Sequence, residues 1–205
     1  MARRAKEEAE KTRARILANA LALFAKKGYE RTTFTDIAAR LKMTKGAVYW
    51  HFASKEALLV ALVDEMLEKF ERQIDELRPK GELTYPEVAE MMVKNGVRIV
   101  QDQHGSSFFR LMKCQIRWTD DSMTKVREKL FNDNTFGPLH AFRTALENDA
   151  QAGRIRRDVA IEEVATVSIA LWDGLVQARI DDFLSSDLET TLRHAYQAIW
   201  KSIQV

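Results

Sequence analysis

The chain has 205 residues, 46% of them hydrophobic, with only 8 glycines and 3 prolines, which excludes global disorder and favours long helices over many-stranded sheets. Its formal charge of +2 hides an asymmetry: residues 1–55 hold 13 Lys/Arg against 5 Asp/Glu, a net of +8, and the other 150 hold 19 against 25, a net of −6. No apolar run approaches a membrane span, Met1–Arg15 is too charged for a secretory signal, and the single Cys114 fits a reducing, cytoplasmic setting.

Ile16, Leu17, Ala20, Leu23 and Phe24 keep a 3.6-residue period and predict a first helix over about residues 8–27, stopped by Gly28. Ahead of it, Arg3, Arg4 and Lys6 read either as a flexible arm for a minor groove or as a solvated tail. Thr35 is the expected N-cap of a short second helix carrying Ile37, Ala38 and Leu41, and Thr44 caps a third that ends near His51. Ser54 opens a long fourth helix, with Leu58, Leu59, Leu62, Met66 and Phe70 on one stripe, ended by Pro79 and Gly81.

Thr84 and Glu87 form a capping-box pattern for a fifth helix to about Gln103. His104–Ser107 reads as a break, followed by a sixth helix over Phe108–Trp118. Asp120 and Asp121 open a seventh that runs to Ala152, with a kink or break at Gly137-Pro138 and a stop at Gly153. Asp158 is expected to cap an eighth helix carrying Val164, Val167, Leu171 and Leu175, and Asp187 a ninth carrying Leu188, Leu192, Ala195 and Ile199. The expected fold is all-α with about nine helices. A three-helix head over residues 1–55 precedes a helical domain over 56–205.

Residues 33–55 carry the sharpest signal. Two short helices meet at a tight turn, and the second begins Thr44-Lys45-Gly46-Ala47 and ends Tyr49-Trp50-His51-Phe52. A helix-turn-helix needs this order, because the leading turn of its second helix must be small enough to enter a major groove. Lys45 can reach a guanine edge or a phosphate, and Gly46 and Ala47 admit the groove wall. Thr35 and Thr44 suit helix caps by type alone, and Trp50 suits either packing or DNA contact. Phe52 is expected in the core.

With Thr12-Arg13-Ala14-Arg15-Ile16-Leu17, Lys27-Gly28-Tyr29, Thr33-Phe34-Thr35-Asp36-Ile37-Ala38 and Lys55-Glu56-Ala57-Leu58, this stretch resembles the TetR family of bacterial transcriptional repressors, in particular its AcrR-like efflux regulators. The resemblance covers about the first 60 residues. Beyond it only Trp118-Thr119-Asp120-Asp121 and Trp172-Asp173-Gly174-Leu175 add to the likeness. One departure is Lys42, at a turn position where the family usually places glycine.

The resemblance implies that Thr35, Thr44, Tyr49, His51 and Lys55 contact the DNA backbone. In the acidic body Met66, Phe70, Met92, Phe109, Met112, Trp118, Phe136, Phe142 and Trp172 suit either core packing or promiscuous apolar binding. The resemblance turns Phe109, Met112, Lys113, Phe142, Trp172 and Val176 toward an effector cavity, where Lys113 and His140 would add polar selectivity. It also sets Trp172, Gly174, Leu175, Ala178 and Ile199 at a two-fold seam between two copies.

The implied protein is a homodimeric, ligand-responsive repressor of a palindromic operator, released by a small apolar or aromatic effector and controlling an efflux transporter. A sequence-nonspecific architectural DNA binder and a dimeric activator are the other readings. An enzyme is not expected: the four histidines are scattered, and no phosphate loop, serine elbow or paired-carboxylate motif is present. No metal or cofactor is implied.

Overall fold

A computed structural model describes residues 2–77, 82–116, 121–124 and 137–205. Helix α1 spans Ala2–Lys27 and so begins ahead of its apolar stripe. Its first two turns hold no glycine or proline, and Lys6–Glu10 and Lys11–Glu8 pair at helical spacings, 4.0 and 3.1 Å apart. The opening basic residues therefore continue the helix and do not form a flexible arm. Gly28, at φ +89°, ends it, its N–H donating to Phe24 O at 2.8 Å.

Helix α2 spans Phe34–Leu41 and α3 spans Lys45–His51. The N-cap of α2 is Thr33, not Thr35. Asp36 decides this by accepting from the Thr33 N–H at 2.9 Å and donating its own N–H to Thr33 Oγ1 at 3.2 Å. Lys27 Nζ, 2.5 Å away, and these Thr33 bonds hold the Asp36 carboxyl well below the usual carboxylate range. Thr44 caps α3 as expected, its Oγ1 accepting from Ala47 N at 3.1 Å.

Between α2 and α3 the chain turns at Lys42, which sits in the left-handed region at φ 56°, ψ 42°. A Cβ there costs about 1 kcal/mol. Lys42→Gly is therefore expected to stabilise the protein by about 1 kcal/mol, raising its melting temperature by about 3 °C for a chain of this size. Thermal unfolding followed by circular dichroism checks this, and an unchanged or lowered midpoint would show that the turn carries no strain.

Helix α4 (Lys55–Leu77) is capped by Ser54, and α5 (Tyr85–Gln101) by Thr84 with Glu87, whose carboxylate accepts from Thr84 N at 2.9 Å. Helix α6 spans Gln103–Arg110 and runs into a π-helical turn at Leu111–Gln115. The break expected at His104–Ser107 falls instead at Asp102, because Gly105 is buried and packing overrides a loop-like composition. A 3-10 turn follows at Asp121–Met123. The expected sites at Arg78–Gly81, Trp118–Asp120 and Phe136 lie outside the described residues.

Helix α7 spans Pro138–Gln151, so of the expected kink or break at Gly137-Pro138 the structure shows a break: Gly137 lies at φ +119° and proline occupies the first turn. Helix α8 spans Ile161–Ile180 and α9 spans Leu188–Ile203. Asp187 caps α9, accepting from Thr190 N at 2.8 Å. Asp158 does not cap α8, whose N-cap is Ala160 with no side-chain cap bond, and Asp158 pairs with Arg156 at 3.3 Å. Among the described residues the fold is all-α, with nine α-helices and one isolated bridge, Ile155 with Gln204.

The chain forms two compact units, Met1–Phe70 with His104–Asn132, and Glu71–Gln103 with Asp133–Val205. In the first, Ile16, Leu17, Phe24, Ile37, Val48, Phe52, Leu58 and Leu59 share one core with Leu111, Met112, Ile116 and Met123. In the second, Tyr85, Phe142 and Tyr196 form an aromatic centre, with ring centroids 5.4 to 6.3 Å apart. Gly96 of α5 brings α8 and α9 close: a Cβ there would lie 3.0 Å from Trp172 Nε1, 3.2 Å from Val176 and 3.3 Å from Leu192.

Candidate nucleic-acid interface

Burial splits the recognition helix into two faces. Val48 is fully buried and Phe52 nearly so, pinning α3 to the head core. The Arg13 guanidinium lies 5.1 Å above the Phe52 ring and places another positive charge beside the helix end. On the other face Thr44, Lys45 and Gly46 are exposed, and Tyr49 and Trp50 are exposed at 49% and 74%. Tyr49 packs edge-on against Phe34 at 4.9 Å, so its ring is held while its hydroxyl is left for a ligand. Lys45 Nζ sits 5.6 Å from the Tyr49 ring, and Trp50 meets His51 edge-on at 4.6 Å. Tyr49 and Trp50, exposed side by side on so short a helix, mark a candidate interaction surface.

Gly46 needs no glycine for the fold. A Cβ built on it meets only Thr44 Oγ1, at 3.9 Å, an ordinary contact. The missing side chain therefore benefits whatever approaches from outside. Ala47 is half-buried beside it, and Thr35 is exposed on α2. His51 is half-buried; burial first, and the Arg13 charge second, push its imidazole below its ordinary value of 6.5. Lys55 is differently engaged. Its ammonium donates to Tyr29 O at 3.0 Å and Glu30 O at 3.2 Å and lies 4.4 Å from the Tyr29 ring, anchoring α4 to the α1–α2 connection.

The expected effector residues divide between the units. In the first, Phe109 and Met112 are buried, Met66 is half-buried, and Lys113 is exposed with Nζ 5.7 Å from the Phe109 ring. The Phe70 side chain lies outside the described residues. In the second, Met92, Phe142, Trp172 and Val176 are all buried, and Trp172 Nε1 donates to Met92 O at 2.7 Å. That bond draws Trp172 into its unit's core and away from the exposed face of α8. His140 is half-buried, 3.4 Å from Thr144 Oγ1.

The expected seam residues lie elsewhere on the same helices. Gly174 is exposed with open space around it, and Leu175, Ala178 and Ile199 are half-buried. Val167, 54% exposed, extends the stripe. Sequence periodicity places Val167 on the helix without separating this outer stripe from the inner one.

Comparison with known proteins decides the family. The model for bacterial regulatory proteins of the tetR family matches residues 16–62, which span the second half of α1, α2, α3 and the start of α4. Over 183 residues the chain is 32% identical to the probable HTH-type transcriptional regulator ArpR of Pseudomonas putida, covering 86% of this chain and 83% of the relative. The chain belongs to the tetR family of bacterial regulatory proteins. Its fold matches the SmeT–triclosan complex at a TM-score of 0.79 and 22% identity, covering 95% of this chain and 92% of that one. It also matches native NalD, the secondary repressor of the MexAB-OprM multidrug efflux pump in Pseudomonas aeruginosa, at 0.80 and 19%, covering 96% and 98%. As a tetR-family member it is a DNA-binding transcription regulator with an N-terminal helix-turn-helix, and its relatives are regulators, not enzymes. Among the described residues no helix is long and apolar enough to cross a membrane, and no cluster of metal-ligating side chains occurs.

Proposed function

We propose that this protein is a cytoplasmic repressor that binds a palindromic operator as a homodimer and is released by a small apolar or aromatic effector. Residues 1–55 read the DNA, and 56–205 bind the effector and dimerise. Thr44, Lys45, Gly46 and Ala47 enter the major groove. Thr35, Tyr49, Trp50 and His51 meet the backbone beside it, and Lys55 positions α4 and thereby α3. Two recognition helices about 34 Å apart would engage successive grooves. Gly174, Leu175, Ala178 and Ile199 form the two-fold seam, where small residues permit close approach.

The observation that carries this reading is the solvent-facing side of α3, with its open Gly46 and its uncovered Tyr49 and Trp50. The efflux link rests on the relatives: NalD and SmeT are both repressors of multidrug efflux pumps. Selection of the purified protein against random duplex DNA at near-physiological salt tests it. Enrichment of one palindrome is expected. Weak, salt-sensitive binding without a consensus would overturn the site-specific reading in favour of an architectural one.

His51 makes a pH prediction. In the free protein its lowered pKa keeps the ring neutral above 6.5, whereas a phosphate beside it favours the imidazolium. Binding DNA then takes up a proton, so operator affinity rises as pH falls through the range around 6.5 and levels off once the free protein is also protonated. Anisotropy titrations across that range are expected to show the rise, and His51→Gln to flatten it. An equal slope in both proteins would remove His51 from the backbone contacts.

A further inference from the structure

The second unit contains a cleft that none of the expected effector residues lines. It lies between α5 and α9, has a volume of about 150 Å³, and is walled by Tyr85, Ala89, Val93, Tyr196 and Trp200. Trp200 and Tyr85 stand nearly parallel, 10° apart with centroids at 5.8 Å, and Tyr196 meets Tyr85 edge-on at 6.3 Å. The two tyrosine hydroxyls are already spent on Ser168: Tyr85 Oη pairs with Ser168 Oγ at 3.0 Å, and Tyr196 Oη donates to Ser168 O at 3.3 Å. Tyr85, Val93 and Tyr196 are themselves buried, so the aromatic surface left for a guest is that of the half-buried Trp200.

Charge at the rim is internally balanced. Arg193 holds Glu90 through both terminal nitrogens and Glu189 at 2.9 Å, and Lys94 lies 3.5 Å from Glu90. Two acids and two bases cancel, so the rim attracts neither an anion nor a cation strongly. A neutral guest is favoured: the volume matches a benzene-sized ring, and the cleft's open side leaves room for a second ring.

We infer that the α5–α9 cleft is a small-molecule site for a neutral one- or two-ring aromatic, separate from the Met92, Trp172 and Val176 set. The inference does not depend on the DNA-binding reading, because its readout is ligand binding to the full chain. Indole is the probe, with benzoate and tetramethylammonium as charged comparisons. The four tryptophans are labelled as 5-fluorotryptophan, and the Trp200 ¹⁹F resonance is assigned by its loss in Trp200→Phe.

Indole is expected to shift the Trp200 resonance saturably, with both charged probes at least tenfold weaker. Ala89→Leu, whose added carbons would occupy the cleft, is expected to weaken indole at least tenfold. Should that variant unfold by circular dichroism, Trp200→Ala, at a half-buried position, must show the same loss by calorimetry. A Trp200 resonance that stays still up to the solubility of indole overturns the site. So does a response confined to Trp172, or an affinity unchanged in the variants. Equal binding of a charged probe overturns the neutral class.

Discussion

Gly46→Ala is expected to leave the head folded and up to about 1 kcal/mol more stable, because alanine is the better helix former, yet to weaken operator binding at least tenfold. The two effects separate because the position has two unrelated surroundings. Inside the protein an added methyl meets only Thr44 Oγ1 at 3.9 Å, so nothing resists it. Outside, in the proposed complex, the first turn of α3 faces the groove wall. A methyl there pushes the helix back and lengthens the contacts of Lys45 and Tyr49 together. Tenfold is 1.4 kcal/mol, about what one good base contact supplies. Thermal melting and anisotropy on the selected operator, run on the same preparation, check both halves. A variant that melts higher and still binds with wild-type affinity would show that Gly46 does not face DNA.

The head was legible in the sequence because its signals are local. Apolar spacing, Gly28 and the Thr44 cap each act within one or two turns, and each appears where it was expected. The error at Thr35 is also local: two threonines compete for one cap, and the partner three residues on, Asp36, selects Thr33. Composition misled at His104–Ser107, where glycine and serines suggested a loop but burial of Gly105 keeps the segment helical. Long-range features left no trace in the chain's pattern. Gly96 looks like any mid-helix glycine until Trp172, Val176 and Leu192 are found against it. Lys55 matches a family phosphate contact by position, and only the structure shows its ammonium held by two carbonyls of the α1–α2 connection.

The aromatic and methionine-rich set shows where legibility stops. Sequence could not divide it into core and ligand surface, because both are apolar and helically spaced. Phe142 and Trp172 prove to be fully or almost fully buried, and Trp172 spends its indole N–H on Met92 O. An effector contacting these residues would therefore have to displace packed groups, not fill open space. That is a physical basis for coupling: a guest that repacks α5 against α8 works against discrete arrangements of a dense core.

Asp149→Ala is expected to cost about 2–3 kcal/mol, the largest loss from any single substitution considered, because it strands a buried N–H at the start of α5 and unpairs Arg154, whose side chain stays in contact with water. Asp149 is fully buried near the end of α7. Its Oδ2 accepts from the Tyr85 N–H, the first of α5, at 2.8 Å, and its Oδ1 accepts from Arg154 Nε at 2.5 Å. A carboxylate at that end of α5 also complements the helix dipole. Asn148 adds a parallel strap, its Nδ2 donating to Leu83 O at 3.0 Å. Alanine would leave the Tyr85 N–H and the Arg154 guanidinium without their acceptor, and α5 would lose the tie that places Tyr85, Met92 and Gly96 in the second unit's core. Asp149→Asn keeps one acceptor oxygen and is expected to lose clearly less. Urea unfolding with an unchanged slope measures both. A loss under about 1 kcal/mol for the alanine variant would mean that water replaces the carboxylate, and that α5 is held by its apolar face alone.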